Sequence, residues 1–205
     1  MFYDAPFTLF ILLINVMVSG YALYFDTQLV NKLSFRPHRV LNDGEWYRLI
    51  TGGFVHGGLG HLFLNMIALF SFGPWIEARL GSVLFLVIYF GSELTAHGVT
   101  LLKHRNSPSY SAVGASGAIA GVVMGYVLFS PLGRISIFPI PIGFPAWFLS
   151  LAFIVFSTYA MMKKDKGRLG GIAHEAHLGG ALGGLLLTII LEPSSLSIFF
   201  NQMGW

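Results

Sequence analysis

The chain has no cysteine and few charged residues. The lack of Cys excludes disulfides, thiolate metal sites and a cysteine nucleophile. Only 10% of the 205 residues are charged, whereas soluble proteins carry about 25%. The net charge of +3 is small, and we interpret the Lys and Arg behind it as contacts with lipid headgroups rather than with nucleic acid. A nucleophile in this chain must therefore be an oxygen or a nitrogen.

Hydrophobic residues dominate the composition. They form 55% of the chain, and the mean hydropathy is +0.71. The apolar stretches cover residues 6–25, 59–80, 82–102, 112–131, 145–162 and 170–191. Because a helix needs about 20 residues to cross a bilayer, these stretches predict an all-α polytopic membrane protein, a bundle of six transmembrane helices. We expect residues 1–205 to form a single domain, with the first stretch retained as a span.

Two reactive side chains lie within these apolar stretches. Ser116 is in the glycine-rich run 114–117 at the start of the fourth stretch, and His177 is in the sixth. A hydroxyl and an imidazole are costly in hydrocarbon, so their presence there usually marks a functional site. The pair predicts nucleophilic chemistry inside a membrane.

Further polar residues occur at helical spacing. His61 and Asn65 are four residues apart in the second stretch, with His56 just before them, so the first two project from one face of a helix. They either face a common wet site or form hydrogen bonds to neighbouring helices. Glu93 and His97 are also four apart, and we interpret them as a structural ion pair or hydrogen bond.

The glycines indicate which helices pack together. Gly117, Gly121 and Gly125 form a stripe with four-residue spacing on the fourth stretch, and Gly180 and Gly184 form another on the sixth. Small residues at this spacing let two helix backbones approach closely. We infer that the fourth and sixth helices pack together, which would bring the serine hydroxyl and the imidazole within hydrogen-bonding reach. Ordinary close packing with an incidental serine is the alternative.

Taken together and in this order, the motifs resemble those of the rhomboid intramembrane serine proteases over nearly the whole chain. The matching segments are Glu45-Trp46-Tyr47-Arg48, His56-x4-His61-x3-Asn65, Glu77-x-Arg79-x-Gly81, Gly114-Ala115-Ser116-Gly117 and Ala176-His177-x-x-Gly180-x-x-x-Gly184.

The resemblance implies a role for each site residue. Ser116 would be the nucleophile that forms an acyl-enzyme, and His177 the general base, so that the two form a dyad. The Ser116 N–H, Asn65 and His61 would stabilise the oxyanion, with His56 close behind. No metal or cofactor is implied. The substrates would be transmembrane segments of other membrane proteins, cut at small residues in a locally unwound stretch.

Other residues near the dyad have to be distinguished from it. His174 is a rival base, but we prefer His177 because it heads the glycine motif and lies deeper in the apolar stretch. Glu175 is two residues from His177, on a different helix face, and is badly placed to orient it. Ala120 lies one turn after Ser116, where some rhomboids carry an aromatic residue that packs on the histidine.

The remaining motif residues are interpreted as structural. Trp46 and Arg48 would anchor the first connection at the membrane interface, with Arg48 binding carbonyls or headgroup phosphate. Arg79 would form an ion pair with Glu77. A catalytically silent rhomboid-like chaperone and a transporter are the alternative functions. The first would be marked by loss of the serine or histidine, and the second by inverted repeats that this chain lacks.

Loop charge and the resemblance disagree about orientation. The first, third and fifth connections carry most of the basic residues, and the positive-inside rule would place them in the cytoplasm. Typical six-span rhomboids have the opposite orientation, with both termini cytoplasmic, and we favour that arrangement in a bacterial plasma membrane. The basic residues of those connections are Lys32, Arg36, Arg39, Arg48, Lys103, Arg105, Lys163, Lys164, Lys166 and Arg168, against Arg79 and Arg134 on the other side.

Overall fold

The computed structural model describes residues 4–136, 142–162 and 173–205, which fold mainly into helices. In chain order the helices are α1 (Pro6–Tyr24), α2 (Thr27–Leu33), α3 (Pro37–Asn42), α4 (Arg48–Thr51), α5 (Leu59–Leu80), α6 (Ser82–His104), α7 (Ser116–Phe129), α8 (Ala146–Met162), α9 (His174–Leu191) and α10 (Ser194–Met203). A turn of 3-10 helix, Gly52–Phe54, follows α4. The strands β1 (Arg134–Ser136) and β2 (Gly143–Pro145) pair in an antiparallel hairpin.

Four of the described helices, α1, α5, α6 and α9, are long and apolar enough to cross a bilayer. The apolar helices α7 and α8 have 14 and 17 residues. At 1.5 Å per residue, α7 measures about 21 Å, less than the roughly 30 Å of bilayer hydrocarbon. The structure therefore confirms a helical polytopic membrane protein, while the full number of crossings stays a prediction. The predicted start of the last stretch at residue 170 and the basic run 163–168 lie outside the described residues.

The helices α1, α5, α6 and α8 begin and end within two residues of the apolar stretches, whereas α7 and α9 begin four residues after the starts of theirs. The apolar stretch begins at residue 112, but the helix begins only at Ser116. Ala112 instead exchanges backbone hydrogen bonds of 2.9 Å with Phe35 in both directions. Gly114 then adopts a φ of +107°, which is outside the helical region and which side chains other than glycine rarely adopt. The chain therefore pairs with Phe35 at Ala112 and then turns through Gly114 and Ala115 into the helix.

The first connection is folded around Arg48. This residue is 2% exposed, and its Nη1 donates to the carbonyls of Asn31 at 3.1 Å and Ser34 at 2.7 Å. Its Nε donates to the Glu45 carboxylate. The predicted binding of carbonyls is therefore confirmed, and burial leaves no access for headgroup phosphate. Trp46 is 57% exposed, on the outside of this connection.

The central core lies between α5, α6 and α7, with α1 packed against it. Its fully buried members include Ile11, Leu69, Ile76, Phe85, Ile88 and Val122. The helix α10 was not predicted, because its alternating polar and apolar residues do not form a long apolar stretch. It packs at the end of α7, where the Gln202 side-chain amide donates to the Phe129 carbonyl at 2.8 Å. This bond satisfies one of the carbonyls that a helix leaves open at its C-terminus.

Glu77 joins the beginning of α1 to the end of α5. Its carboxylate accepts hydrogen bonds from the backbone N–H groups of Phe7 at 3.0 Å and Thr8 at 2.7 Å. The hydroxyls of Thr8 and Ser82 donate to it as well, at 2.8 Å and 2.7 Å. Glu77 is 1% exposed. A buried carboxylate with this number of donors is fully satisfied and fixes α1 against α5.

The predicted ion pair between Glu77 and Arg79 is wrong. No ion pair of the described residues joins the two. Residues two apart on a helix point to different sides, so Arg79 turns away from α1. Its guanidinium lies over the Phe129 ring, 4.8 Å from the centroid, and 6.0 Å from that of Trp75. The arginine of this motif therefore makes a cation–π contact at the end of α7.

We expect Glu77→Ala to lower the free energy of unfolding by roughly 2–6 kcal/mol, because two backbone N–H groups of α1 each lose an acceptor worth about 1–3 kcal/mol when buried. Asp43→Ala removes an exposed carboxylate from the first connection and should stay within about 0.5 kcal/mol of the parent. Chemical unfolding in detergent micelles measures both. Equal stability of the two variants would contradict the role assigned to Glu77.

Candidate active site

The structure brings Ser116 and His177 together. Ser116 is the first residue of α7, and His177 lies in the first turn of α9. The serine Oγ is 2.7 Å from the histidine Nε2, which is a hydrogen-bonding distance. Both side chains are half-buried rather than sealed in the core. The predicted approach of hydroxyl and imidazole is thus present.

Glycines allow this approach because α7 and α9 touch through their backbones. A Cβ placed on Gly180 would lie 2.1 Å from the Gly117 carbonyl oxygen, and one on Gly184 would lie 2.2 Å from the Cα of Gly121. Neither distance is sterically possible for a carbon atom. The small residues therefore permit an approach that any side chain would prevent, as the four-residue spacing predicts. Gly125 faces α9 too, with the Thr188 hydroxyl 3.0 Å from its notional Cβ.

The position of Ser116 at a helix N-terminus has an electrostatic consequence. The first N–H groups of a helix have no acceptor within it, and the helix dipole puts partial positive charge there. Gly114, with its positive φ, turns the extended chain so that this end of α7 faces the site. A negative charge that develops next to Ser116 is therefore favoured by the fold itself.

His61 and Asn65 face this turn from the first half of α5. A Cβ on Gly114 would lie 2.7 Å from the His61 Nε2 and 3.3 Å from the Asn65 Nδ2. The Asn65 side chain is buried, and its Nδ2 has no hydrogen-bond partner among the described residues. A buried amide without a partner costs free energy. It is an available donor pointing at the backbone beside Ser116, which favours the wet-site interpretation of Asn65 over the structural one.

His56 lies behind His61, with ring centroids 5.0 Å apart. Its Nδ1 is 2.8 Å from the hydroxyl of Ser19, which itself donates to the Phe54 carbonyl at 2.9 Å. The hydroxyl has one proton, so its oxygen accepts from His56 Nδ1–H, and Nε2 is then an acceptor. Burial and the neighbouring His61 lower the pKa of His56 to about 3, which keeps the ring neutral. His56 therefore supports His61 rather than donating at the site.

Glu93 and His97 form the predicted pair, since His97 Nε2 is 3.4 Å from Glu93 Oε1. His97 Nδ1 also lies 2.8 Å from the Leu49 carbonyl, which ties α6 to α4. The second Glu93 oxygen accepts a hydrogen bond of 3.0 Å from the backbone N–H of Ala118. Spacing alone did not reveal this contact, because the acceptor and the donor are on different helices. Glu93 thus fixes the first turn of α7, which carries Ser116.

His174 is less well placed than His177 to act on Ser116. It is 8% exposed, its ring is 6.4 Å from that of His177, and its Nδ1 has no partner among the described residues. The hydrogen bond to the serine belongs to His177. The geometry therefore favours His177 over its rival.

Glu175 contacts residues at and after the end of α6 rather than His177. Its carboxylate accepts hydrogen bonds from the Tyr110 hydroxyl at 2.6 Å and from Lys103 Nζ at 2.9 Å, and it lies 2.9 Å from His104 Nε2. The ring of His104 stacks on that of Tyr110. These contacts hold the start of α9 to the end of α6, and they place this carboxylate away from the imidazole of His177, as predicted.

The fold and the site together define a polytopic helical membrane protein with a half-buried serine–histidine pair. The family model of the Rhomboid domain matches residues 43–194. The chain is 34% identical over 148 residues to YdcA of Bacillus subtilis, covering 72% of this chain and 68% of the relative. The chain belongs to the rhomboid family, which confirms the resemblance read from its motifs.

Two further relatives are named as rhomboid proteases. GluP of Bacillus subtilis is 31% identical over 175 residues, which cover 81% of this chain but only 33% of GluP. AarA of Providencia stuartii is 28% identical over 213 residues, which cover 93% of this chain and 75% of AarA. The chain therefore spans a third of one protease and three quarters of the other.

We expect Gly180→Ala to separate α7 from α9, because the added methyl group has no room against the Gly117 carbonyl. Overpacking of this kind costs about 1–3 kcal/mol or more. Gly98→Ala in α6 is the matched control: its Cβ meets nothing within 4 Å, and Ala in place of a helical glycine stabilises by up to about 1 kcal/mol. Thermal unfolding in micelles should shift the two midpoints in opposite directions, and a shared direction would contradict the packing argument.

Proposed function

We propose that this rhomboid is an intramembrane serine protease that cleaves transmembrane segments of other membrane proteins through an acyl-enzyme. The observation that carries the proposal is the 2.7 Å contact between Ser116 Oγ and His177 Nε2. Membership of a family that includes the named proteases GluP and AarA supports it. A catalytically silent relative would need neither group, and no observation favours that alternative or a transporter.

The contact suits nucleophilic catalysis by a dyad. His177 Nε2 accepts the proton of Ser116 as Oγ attacks the carbonyl carbon of the scissile peptide. The tetrahedral intermediate collapses when the imidazolium gives this proton to the leaving amine, and Ser116 is left acylated. Water then gives a proton to His177 and attacks the ester carbonyl. The imidazolium returns this proton to Ser116 Oγ as the ester bond breaks, which releases the acid and regenerates the free hydroxyl and the neutral imidazole. Glu175 takes no part, since it is bonded to Tyr110 and Lys103.

The oxyanion needs donors that are fixed before the reaction begins. Asn65 Nδ2 supplies one, because it is buried, has no partner among the described residues and faces Gly114. The backbone N–H of Ser116, at the positive end of α7, supplies another, and His61 lies against the same turn. The Glu93 bond to Ala118 keeps that end of α7 in place. Each donor is thus held by an element of the bundle rather than by the substrate.

We also propose that the protein crosses the membrane six times. The short α7 is preceded by the non-helical segment 112–115, which pairs with Phe35 at Ala112 and is mostly buried within the protein. Irregular backbone is tolerated at membrane depth where protein covers it. The segment and the helix can together complete a crossing, and α8 can do the same with the β1–β2 hairpin. We place the protein in a bacterial plasma membrane, an assignment supported by its relatives in Bacillus and Providencia.

Ser116→Ala should abolish cleavage of a transmembrane substrate in reconstituted vesicles and labelling by a fluorophosphonate probe, because no other group replaces the nucleophile. His177→Ala should also abolish cleavage. Neither change should unfold the protein, which the thermal midpoint in micelles would verify. His174→Ala is the matched control and should retain probe labelling. Continued cleavage by Ser116→Ala would overturn the assignment of the nucleophile.

Asn65→Ala should lower kcat by roughly 10²–10³, the usual effect of removing one oxyanion donor. KM should change little, because the interaction strengthens only as the oxyanion forms. Asn15→Ala provides the comparison, since this buried asparagine bonds to the Ile11 carbonyl within α1, away from the site. Steady-state kinetics with a fluorogenic transmembrane peptide separates the two. Equal kcat values would remove Asn65 from the oxyanion site.

A further inference from the structure

The imidazole of His177 needs a second constraint besides the serine. Among the described residues, the hydrogen bond to Ser116 is the only one that its side chain makes. One hydrogen bond at Nε2 fixes the position of that atom but not the plane of the ring, which turns about a soft terminal torsion. A base that exchanges protons with both a serine and a leaving amine has to keep its lone pair aligned. Something else must therefore hold the ring.

Phe153 on α8 meets this requirement. Its ring stacks on that of His177, with centroids 5.7 Å apart and planes 30° from parallel. These values belong to the offset-stacked arrangement that aromatic pairs prefer. The phenyl ring comes from a third helix, neither the one that carries the serine nor the one that carries the histidine. It covers a face of the imidazole and leaves Nε2 free for Ser116.

A small residue on α7 makes room for this ring. Ala120, one turn after Ser116, forms a buried cluster with Met124 and Ala181, and Phe153 packs against that cluster. The position at which some rhomboids carry an aromatic residue therefore holds a methyl group here. The aromatic ring is supplied from α8 instead, and it packs against the cluster to which this methyl group belongs.

We propose that Phe153 is the positioning residue for the base: its ring, packed against the cluster of Ala120, Met124 and Ala181, sets the plane of the His177 imidazole. The proposal rests on the proposed function, because it takes His177 as the base. It also makes the alignment of the base depend on where α8 sits. If α8 moves away from α9, the ring is withdrawn and His177 keeps only its bond to the serine.

The chain offers a matched control one turn along α8. Phe156 is 60% exposed, and its ring meets His174 edge-on, with centroids 5.5 Å apart. The two phenylalanines therefore lie on the same helix, and the ring of each contacts a histidine ring. They differ in whether that histidine contacts Ser116.

The experiment compares Phe153→Ala, Phe153→Leu, Phe153→Tyr and Phe156→Ala in vesicles with a transmembrane substrate. We expect kcat of Phe153→Ala to fall about 10- to 100-fold with KM within about threefold, because misalignment of a reacting group has effects of this size. Phe153→Leu should fall similarly, because it restores volume without a flat face. Phe153→Tyr and Phe156→Ala should stay close to the parent. Thermal midpoints in micelles identify any variant that is merely unstable.

A relocated ring gives the sharpest test. The double variant Ala120→Phe/Phe153→Ala moves the aromatic group from α8 to α7 and should recover at least about tenfold of the lost kcat. Parent-like kcat in a folded Phe153→Ala, or equal recovery by Leu and Tyr, would overturn the proposal and leave the protease assignment standing. Absence of Ser116-dependent cleavage in the parent protein would overturn both, so the two failures are distinguishable.

Discussion

The backbone contact between α7 and α9 is the interaction on which the rest of this structure depends. In lipid the hydrophobic effect does not drive helices together, so close van der Waals packing has to do so. The carbonyl of Gly117 and the Cα of Gly121 occupy space that side chains on Gly180 and Gly184 would fill. The serine and the imidazole, each near the start of its helix, meet because these glycines bring the two axes together.

The buried carboxylates around this contact belong to the scaffold. Glu77 holds α1 to α5, Glu93 holds the first turn of α7, and Glu175 holds the start of α9. Each of these carboxyl groups accepts a hydrogen bond from another element. A buried polar group that would be costly without a partner is thereby satisfied, and the bond links two elements of the bundle. Among the described residues, no carboxylate is hydrogen-bonded to the imidazole of His177. The side-chain amide of Asn65 has no partner among these residues either, which leaves it available for the oxyanion role proposed above.

The sequence predicted those features that depend on local spacing. Apolar stretches located the helices, glycine spacing located the contact between α7 and α9, and four-residue spacing paired Glu93 with His97. The partners of Glu77 and Phe153 could not be predicted, because each partner lies on a helix distant in sequence and local spacing carries no information about it. The start of α7 was misplaced by hydropathy, which ranks Ala112 as apolar but does not register its pairing with Phe35. Motif resemblance supplied the roles that spacing could not.

The hydrogen bonds between Glu77 and the start of α1 have a consequence for biogenesis. Translation makes α1 before α5, so the acceptor for the amides of Phe7 and Thr8 is synthesised some seventy residues after them. Until that acidic side chain arrives, the nascent helix has an open end that only water or the insertion machinery can satisfy. The start of α1 can therefore be fixed to the end of α5 only after Glu77 has been synthesised.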